Sequence, residues 1–344
     1  MLKNPFKVRV YVLYYFTLSD YKMENSFVSV IITAFNRKEY INDAINSVLN
    51  QSLDSSRYEL IVVTNYDISV SLKGKINFIN INKNNNERFN LMIYGIKAAK
   101  GDIICFLDDD DIYDKFKLEK IVNIFSKNKR LGYIHNAFCL IDESGQRITS
   151  KKYTRLYKQP HKDYYITYKN LKKFLSKITY YNGLVNLSTI SIRKTIIDKD
   201  SLDYFLSLPG NFDEFVFYEF LRSQSDLFIG KDILSHYRIH RKNNSKSKTP
   251  SEIINYTERL CISTNMLYSL LIDTPFSSYA IMKLKYWIYK THLLDDNFYV
   301  TRKFLTALLM DFVKYRTDYY FSMLLLTLYK FIFKRSPVRF LRYF

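Results

Sequence analysis

A chain of 344 residues, 47% of them apolar, has material for one large core or two small ones, and this excludes both a disordered chain and a polytopic membrane protein. Its net charge of +19 points to an anionic partner: nucleic acid, an anionic membrane surface or an anionic substrate. The cysteines Cys105, Cys139 and Cys261 are odd in number and widely spaced, which argues against a disulfide framework or a zinc site and for reduced thiols in the cytoplasm.

Residues 1–26 read as an N-terminal extension. Its apolar stretch, 8–18, is too short to cross a bilayer as a helix, and no small-residue cleavage site follows it. Phe27 to Thr33 is the first predicted strand, and Ala34-Phe35-Asn36-Arg37 is the turn after it. Asn36 and Glu39 have capping-box spacing ahead of a helix whose apolar face is Ile41, Ala44, Ile45, Val48 and Leu49. Tyr58 to Val63 and Ile76 to Ile81 are further strands, and 88–99 is a helix ending at Gly101.

Ile103 to Leu107 is a short continuous apolar run, as expected of a strand buried on both faces of a parallel sheet. It ends in four consecutive acids, Asp108 to Asp111. Adjacent carboxylates repel one another, and a hard divalent cation bridged to phosphate oxygens is a reason to hold them at a strand end. Continued strand alternation puts Asp108 and Asp110 on one side, as the first-choice metal ligands. The plainer alternative is a solvated loop capping the helix near Lys115. Strands alternating with helices predict an α/β fold with a mainly parallel sheet flanked by helices. In such sheets ligands bind beyond the carboxyl ends of the strands, where the Thr33–Arg37 turn, Thr64-Asn65 and the four acids all fall.

Further on, the pattern predicts a helix over 115–128, a strand over 131–141 and a hairpin turn at Asp142 to Gly145. Residues 147–175 are basic and tyrosine-rich and read as a loop and helix over the site. Strands follow at 187–192 and 227–230, on either side of a helix opened by Asp213-Glu214. Residues 246–250 read as a linker and 251–333 as helices, with 298–329 as one element. The end of the chain carries Lys330, Lys334, Arg335, Arg339 and Arg342 among Phe, Ile, Leu and Tyr. Such a basic amphipathic tail suits either an anionic membrane surface or a solvated face of a packed helix.

Three segments together resemble the start of the family 2 glycosyltransferases: Val-Ser-Val-Ile-Ile-Thr-Ala-Phe-Asn-Arg (28–37), Ser-Val-Leu-Asn-Gln-Ser (47–52) and Tyr-Glu-Leu-Ile-Val-Val (58–63). Gly-Ile-Lys-Ala-Ala-Lys-Gly-Asp-Ile-Ile-Cys-Phe-Leu-Asp-Asp-Asp-Asp (95–111) and Tyr-Arg-Ile-His (237–240) extend the resemblance over 27–245. It implies a GT-A, Rossmann-like domain over 27–245, with a helical region over 246–344 behind it. It also implies inverting transfer from a nucleotide-diphosphate sugar to a glycan or lipid-linked acceptor.

By that resemblance Thr33 and Phe35 hold the nucleobase, with Arg37, Thr64, Asn65 and Asp109 in the same donor site. Asp108 and Asp110 resemble the Asp-x-Asp that binds Mg²⁺ or Mn²⁺. Glu214 or Asp213 is the catalytic base, and Arg238 and His240 reach the diphosphate. Thr64-Asn65 departs from the acidic pair usual after the second strand, which bears on the choice of base. The implied location is cytoplasmic, peripheral on the inner face of the membrane through the tail, with no nucleic acid bound. Two rival readings are a nucleotide-sugar-binding module without activity and a basic nucleic-acid-binding protein. The latter predicts salt-sensitive, metal-independent binding and has no use for Asp108–Asp111.

Overall fold

The computed structural model describes residues 26–67, 76–81, 88–150, 159–178, 186–206, 208–210, 212–241, 243, 249–295, 298–315 and 318–333. The extension before residue 26 and the tail after 333 lie outside them. The chain begins with β1 (Val28–Ala34), α1 (Ile41–Leu49), β2 (Tyr58–Thr64), β3 (Ile76–Asn80), α2 (Arg88–Ala98) and β4 (Ile103–Asp108). It continues with β5 (Ile112–Tyr113), α3 (Lys117–Ser126), β6 (Leu131–Ile141), β7 (Tyr164–Ile166), α4 (Tyr168–Ile178) and β8 (Ile190–Arg193). After α5 (Lys199–Tyr204), α6 (Phe212–Arg222) and the long β9 (Asp226–Arg238) come four helices. These are α7 (Pro250–Tyr268), α8 (Ser277–Leu294), α9 (Arg302–Tyr315) and α10 (Asp318–Phe333).

The strands form one sheet in the order β3-β2-β1-β4-β8-β6-β9-β5, with β7 on β9. Helices flank it, and a helical extension follows it, as expected. The parallel part is β3-β2-β1-β4, where α1 and α2 supply crossovers long enough to return the chain in the same direction. The other half is mixed: β8 runs antiparallel to both β4 and β6, and β5 and β7 are antiparallel to β9, while β6 and β9 are parallel. Segments 187–192 and 227–230 therefore differ from their predicted forms. The first opens as a 3-10 turn at Leu187–Thr189, and the second extends into one 13-residue strand.

Alternation divides each central strand between two cores. Ile31, Ile104 and Phe106 pack beneath α2 and α6, whereas Val30, Ile32, Cys105 and Leu107 pack beneath α1 and α3. Both faces are covered, so the sequence shows unbroken apolar runs. The register sets Thr33 beside Asp108 and Ala34 beside Thr64, so β1, β2 and β4 end at one edge. Gly101 makes this alignment possible, because a Cβ there would lie 2.5 Å from the Ser29 nitrogen and 2.6 Å from the Phe27 oxygen.

The predicted capping box at Asn36 and Glu39 does not form. Helix α1 starts after Tyr40 with no side-chain cap, and Asn36 turns instead to Asn65, the residue after β2. A capping box does form later, where Thr249 and Glu252 start α7. The core under α6 takes in Leu267, Leu271, Phe276 and Ala280, so α7 and the first turn of α8 pack on the sheet domain. A separate core joins α8, α9 and α10 through Tyr286, Tyr289, Leu308, Tyr320, Met323 and Leu326. The single predicted helix over 298–329 is two helices here, α9 and α10. The three cysteines are unpaired.

Candidate active site

The turn after β1 is held by the end of β2. Asn36 adopts a left-handed backbone, φ 54°, which asparagine tolerates better than most residues. Its N–H donates to Asn65 Oδ1 at 3.0 Å, and Asn65 Nδ2 donates to Asn36 Oδ1 at 2.8 Å. The Tyr66 hydroxyl donates to the Arg37 carbonyl, and the Thr64 hydroxyl donates to the Tyr66 carbonyl at 2.6 Å. Thr64 and Asn65, expected in the donor site, are both buried, and these hydrogen bonds fix the turn.

So fixed, the turn aims Arg37 at the acids. Its Nε donates to Asp109 Oδ2 at 2.9 Å, its Nη2 pairs with Asp109 Oδ1, and its Nη1 lies 2.7 Å from Asp110 Oδ2. Burial works against the guanidinium charge, but the hydrogen bond and charge of Asp109, then the charges of Asp110 and Asp108, raise its pKa further. Asp109 is therefore a carboxylate that orients Arg37.

Strand β4 ends at Asp108, and the chain then curls so that the Asp111 N–H donates to the Asp108 carbonyl at 3.1 Å. A turn, rather than continued alternation, gathers the acids. One carboxylate oxygen from each of Asp108, Asp110 and Asp111 lies within 4.8 Å of the others. This all-oxygen set fits a hard divalent cation. Asp111, which sequence reasoning left out of the ligands, is fully buried. It accepts from the Ser188 hydroxyl at 2.5 Å and from the Arg238 N–H at 2.9 Å. Burial, then the charges of Asp110 and Asp108, push its carboxyl well above the usual range.

Behind the acids lies Lys117, fully buried, donating to the Ser188 carbonyl at 2.6 Å and to the Ser235 hydroxyl at 3.0 Å, with its charge over the Tyr113 ring. Burial lowers it to about 7, against the opposing pull of Cys105 and Asp111. The Ser188 hydroxyl also accepts the Asp108 N–H at 3.0 Å, so one serine ties β4 to its turn. Nothing in the local sequence marks Ser188 or Lys117; their role depends on how β8 and α3 meet β4.

The late pair splits. His240 reaches the acids: its Nε2 lies 2.9 Å from Asp110 Oδ2 and 3.3 Å from Arg37 Nη1. Its backbone N–H donates to Asn243 Oδ1 at 2.6 Å. Arg238 is held by the hairpin, α1 and the acidic turn. Its Nε donates to the Asp110 carbonyl at 2.8 Å, Nη1 to the Glu143 carbonyl at 2.9 Å and Nη2 to Asp43 at 2.8 Å. With 1% of its surface exposed and its guanidinium stacked on Tyr40, it braces the hairpin against α1 and the acidic turn. Arg37, by contrast, meets the carboxylates of Asp109 and Asp110 directly.

Across from the strand ends stands the first turn of α6. Asp213 is half-buried, and burial, then the charges of Glu214 and Asp108, raise its carboxyl to about 7. Glu214 is buried, and its Oε1 has no partner among the described residues. Burial raises its pKa too, with Lys283 opposing. At the end of β1 the Thr33 hydroxyl is likewise buried without a partner. Phe35 is partly buried against the core under α2 and α6.

With this arrangement in view, residues 29–188 match the family model described as Glycosyl transferase family 2. The chain carries a family 2 glycosyltransferase domain. It is 32% identical over 109 residues to the poly(ribitol-phosphate) β-N-acetylglucosaminyltransferase TarP of Staphylococcus aureus, a match covering 29% of this chain and 33% of TarP. The chain thus spans about a third of TarP's length. An uncharacterised glycosyltransferase of Haemophilus influenzae is 24% identical over 322 residues, 86% of this chain and 93% of its own. The structure of S. aureus TarS 1–349 with UDP-GlcNAc superposes with a TM-score of 0.54 at 15% identity, over 91% of this chain and 90% of TarS 1–349. At that identity the likeness is one of fold, and the fold is GT-A.

Proposed function

We propose that this family 2 domain transfers a sugar from a nucleotide-diphosphate donor to an acceptor hydroxyl, inverting the anomeric centre. The observation that carries this is the convergence of Asp108, Asp110 and Asp111 at the sheet edge, opposite a carboxyl, Asp213, raised to about 7. TarS has been solved with UDP and with UDP-GlcNAc, which supports a uridine donor here as well. Mg²⁺ or Mn²⁺ would be held by Asp108 and Asp110, with Asp111 as a third oxygen ligand. Such a cation, when bound, offsets charge on the departing diphosphate.

The remaining work falls to the chain itself. Asp213 takes the proton of the acceptor hydroxyl as its oxygen bonds to the anomeric carbon and the bond to the diphosphate oxygen breaks. A base near 7 is matched to neutral pH, and its half-buried position keeps it in reach of substrate. Glu214, deeper and between Asp213 and Tyr218, supports that raised pKa by its charge and ranks second as the base. Arg37 supplies a fixed cation beside the phosphates, steadied by Asp109, and His240 orients Asp110. In this reading Thr33, whose hydroxyl is buried without a partner among the described residues, and the partly buried Phe35 hold the nucleobase.

The acceptor belongs to the glycan or lipid-linked saccharide class. The reading includes a cytoplasmic address at the inner face of a membrane, supported by the basic tail. Calorimetric titration with UDP, GDP and dTDP, each with Mn²⁺ and with EDTA, tests the donor site. Metal-dependent binding of one nucleotide that vanishes in Asp110→Ala is expected. No binding of any nucleotide under either condition would remove the reading.

A further inference from the structure

Among the described residues, the last two helices are covered on one side only. Helix α9 buries Leu308 and Asp311 against the third core and leaves Leu305, Leu309, Met310 and Val313 between 38% and 68% exposed. Helix α10 buries Tyr320, Met323 and Leu326 and leaves Phe321, Leu325, Leu328, Phe331 and Ile332 between 42% and 64% exposed. Positions 305, 309 and 313, and positions 321, 325, 328 and 332, each fall on one face of a helix. Stripes of this length are unusual on a surface that meets only water. Among the described residues no helix is long and apolar enough to cross a membrane.

Charge identifies the occupant. Arg302, Lys303 and Lys314 are exposed on α9. The one acid of that helix, Asp311, is withdrawn into the core, where it accepts from Lys285 at 2.8 Å and from the Tyr289 hydroxyl at 2.7 Å. Beyond Asp318 the sequence holds no further acid, while Lys334, Arg335, Arg339 and Arg342 follow α10. A second copy of this chain would bring like cations against one another. Anionic headgroups accept the cations, and the acyl boundary takes the apolar stripes.

We propose that α9 and α10 lie in the plane of an anionic lipid bilayer, their apolar stripes inserted to the level of the acyl boundary and the flanking cations on the headgroups. This extends the membrane contact from the tail to two folded helices and stands independently of the transfer reaction. The test is co-sedimentation of the full chain with vesicles of phosphatidylglycerol and phosphatidylcholine, compared with phosphatidylcholine alone. Binding to the anionic vesicles, weakened about tenfold or more in Leu309→Ser/Val313→Ser and in Leu325→Gln/Leu328→Gln, is expected. The same variants should keep the wild-type melting temperature and nucleotide affinity, which shows that they fold. Equal binding of wild type and both variants would overturn the proposal. So would an oligomer that the substitutions dissolve without any vesicle binding, since the stripes would then join copies of the chain.

Discussion

The acidic edge of the sheet and the outer helices are built on opposite terms. At the edge, hydrogen bonds hold nearly every charged group to partners far along the chain. Arg37 meets Asp109 and Asp110, Ser188 meets Asp111, and Arg238 spans α1, the acidic turn and the hairpin. Desolvated charges are stable only when paired this way, so the edge has one geometry. In the outer helices the contacts are mostly aromatic and aliphatic, and among the described residues one face remains open. Such a surface tolerates substitution in the fold and spreads its function over many residues. One region positions atoms for chemistry; the other presents area.

The largest test of the contrast is Asp213→Asn. It should lower turnover by about 10²- to 10⁴-fold while leaving calorimetric binding of the donor nucleotide near the wild-type value. Loss of binding with turnover would instead make Asp213 a structural member of the edge. Arg37→Gln comes next. The guanidinium occupies Asp110 through a 2.7 Å ion pair, so removing it should tighten Mn²⁺ binding in the absence of nucleotide about tenfold. Weaker Mn²⁺ binding would mean that Arg37 builds the ligand cluster rather than competing with the cation.

The pH dependence is smaller but has a definite sign. Asp213 must be ionised to act as a base, so turnover should rise as pH climbs through about 7 and level off above it. Its folded pKa lies above its unfolded value, so the neutral carboxyl is the form that favours folding. The contribution is fully present below pH 4 and is lost as pH rises through about 7. Above that range Asp213→Asn should stabilise the fold by on the order of 1 kcal/mol in urea unfolding, the value discounted for partial exposure. The least effect belongs to the open helices. Leu328→Gln should change unfolding free energy by about 0.5 kcal/mol or less, while Thr249→Ala, which breaks the α7 capping box, should cost about 1 kcal/mol. A large loss in Leu328→Gln would show that the stripe is covered after all.

By itself the sequence determined the elements with a period and the places where a pattern stops. The apolar run of β4 ending in Asp108, the strand–helix alternation up to that point, and the helical character after residue 250 follow from local order alone. So does the acidic pair that opens α6. Tertiary structure decided which side chains face one another. Asp111 joins the acids because the chain curls after β4, and Asn65 holds the turn after β1 because Asn36 faces it across the strand ends. Arg37 meets the carboxylates of the acids, whereas Asp43, Asp142 and Glu143 surround Arg238. The mixed half of the sheet likewise depends on β8 entering between β4 and β6 from the opposite direction. Periodicity reports the burial of a face, which is a property of neighbours in the chain. A charge finds its partner through packing across 70 to 200 residues of sequence, and no local pattern carries that distance.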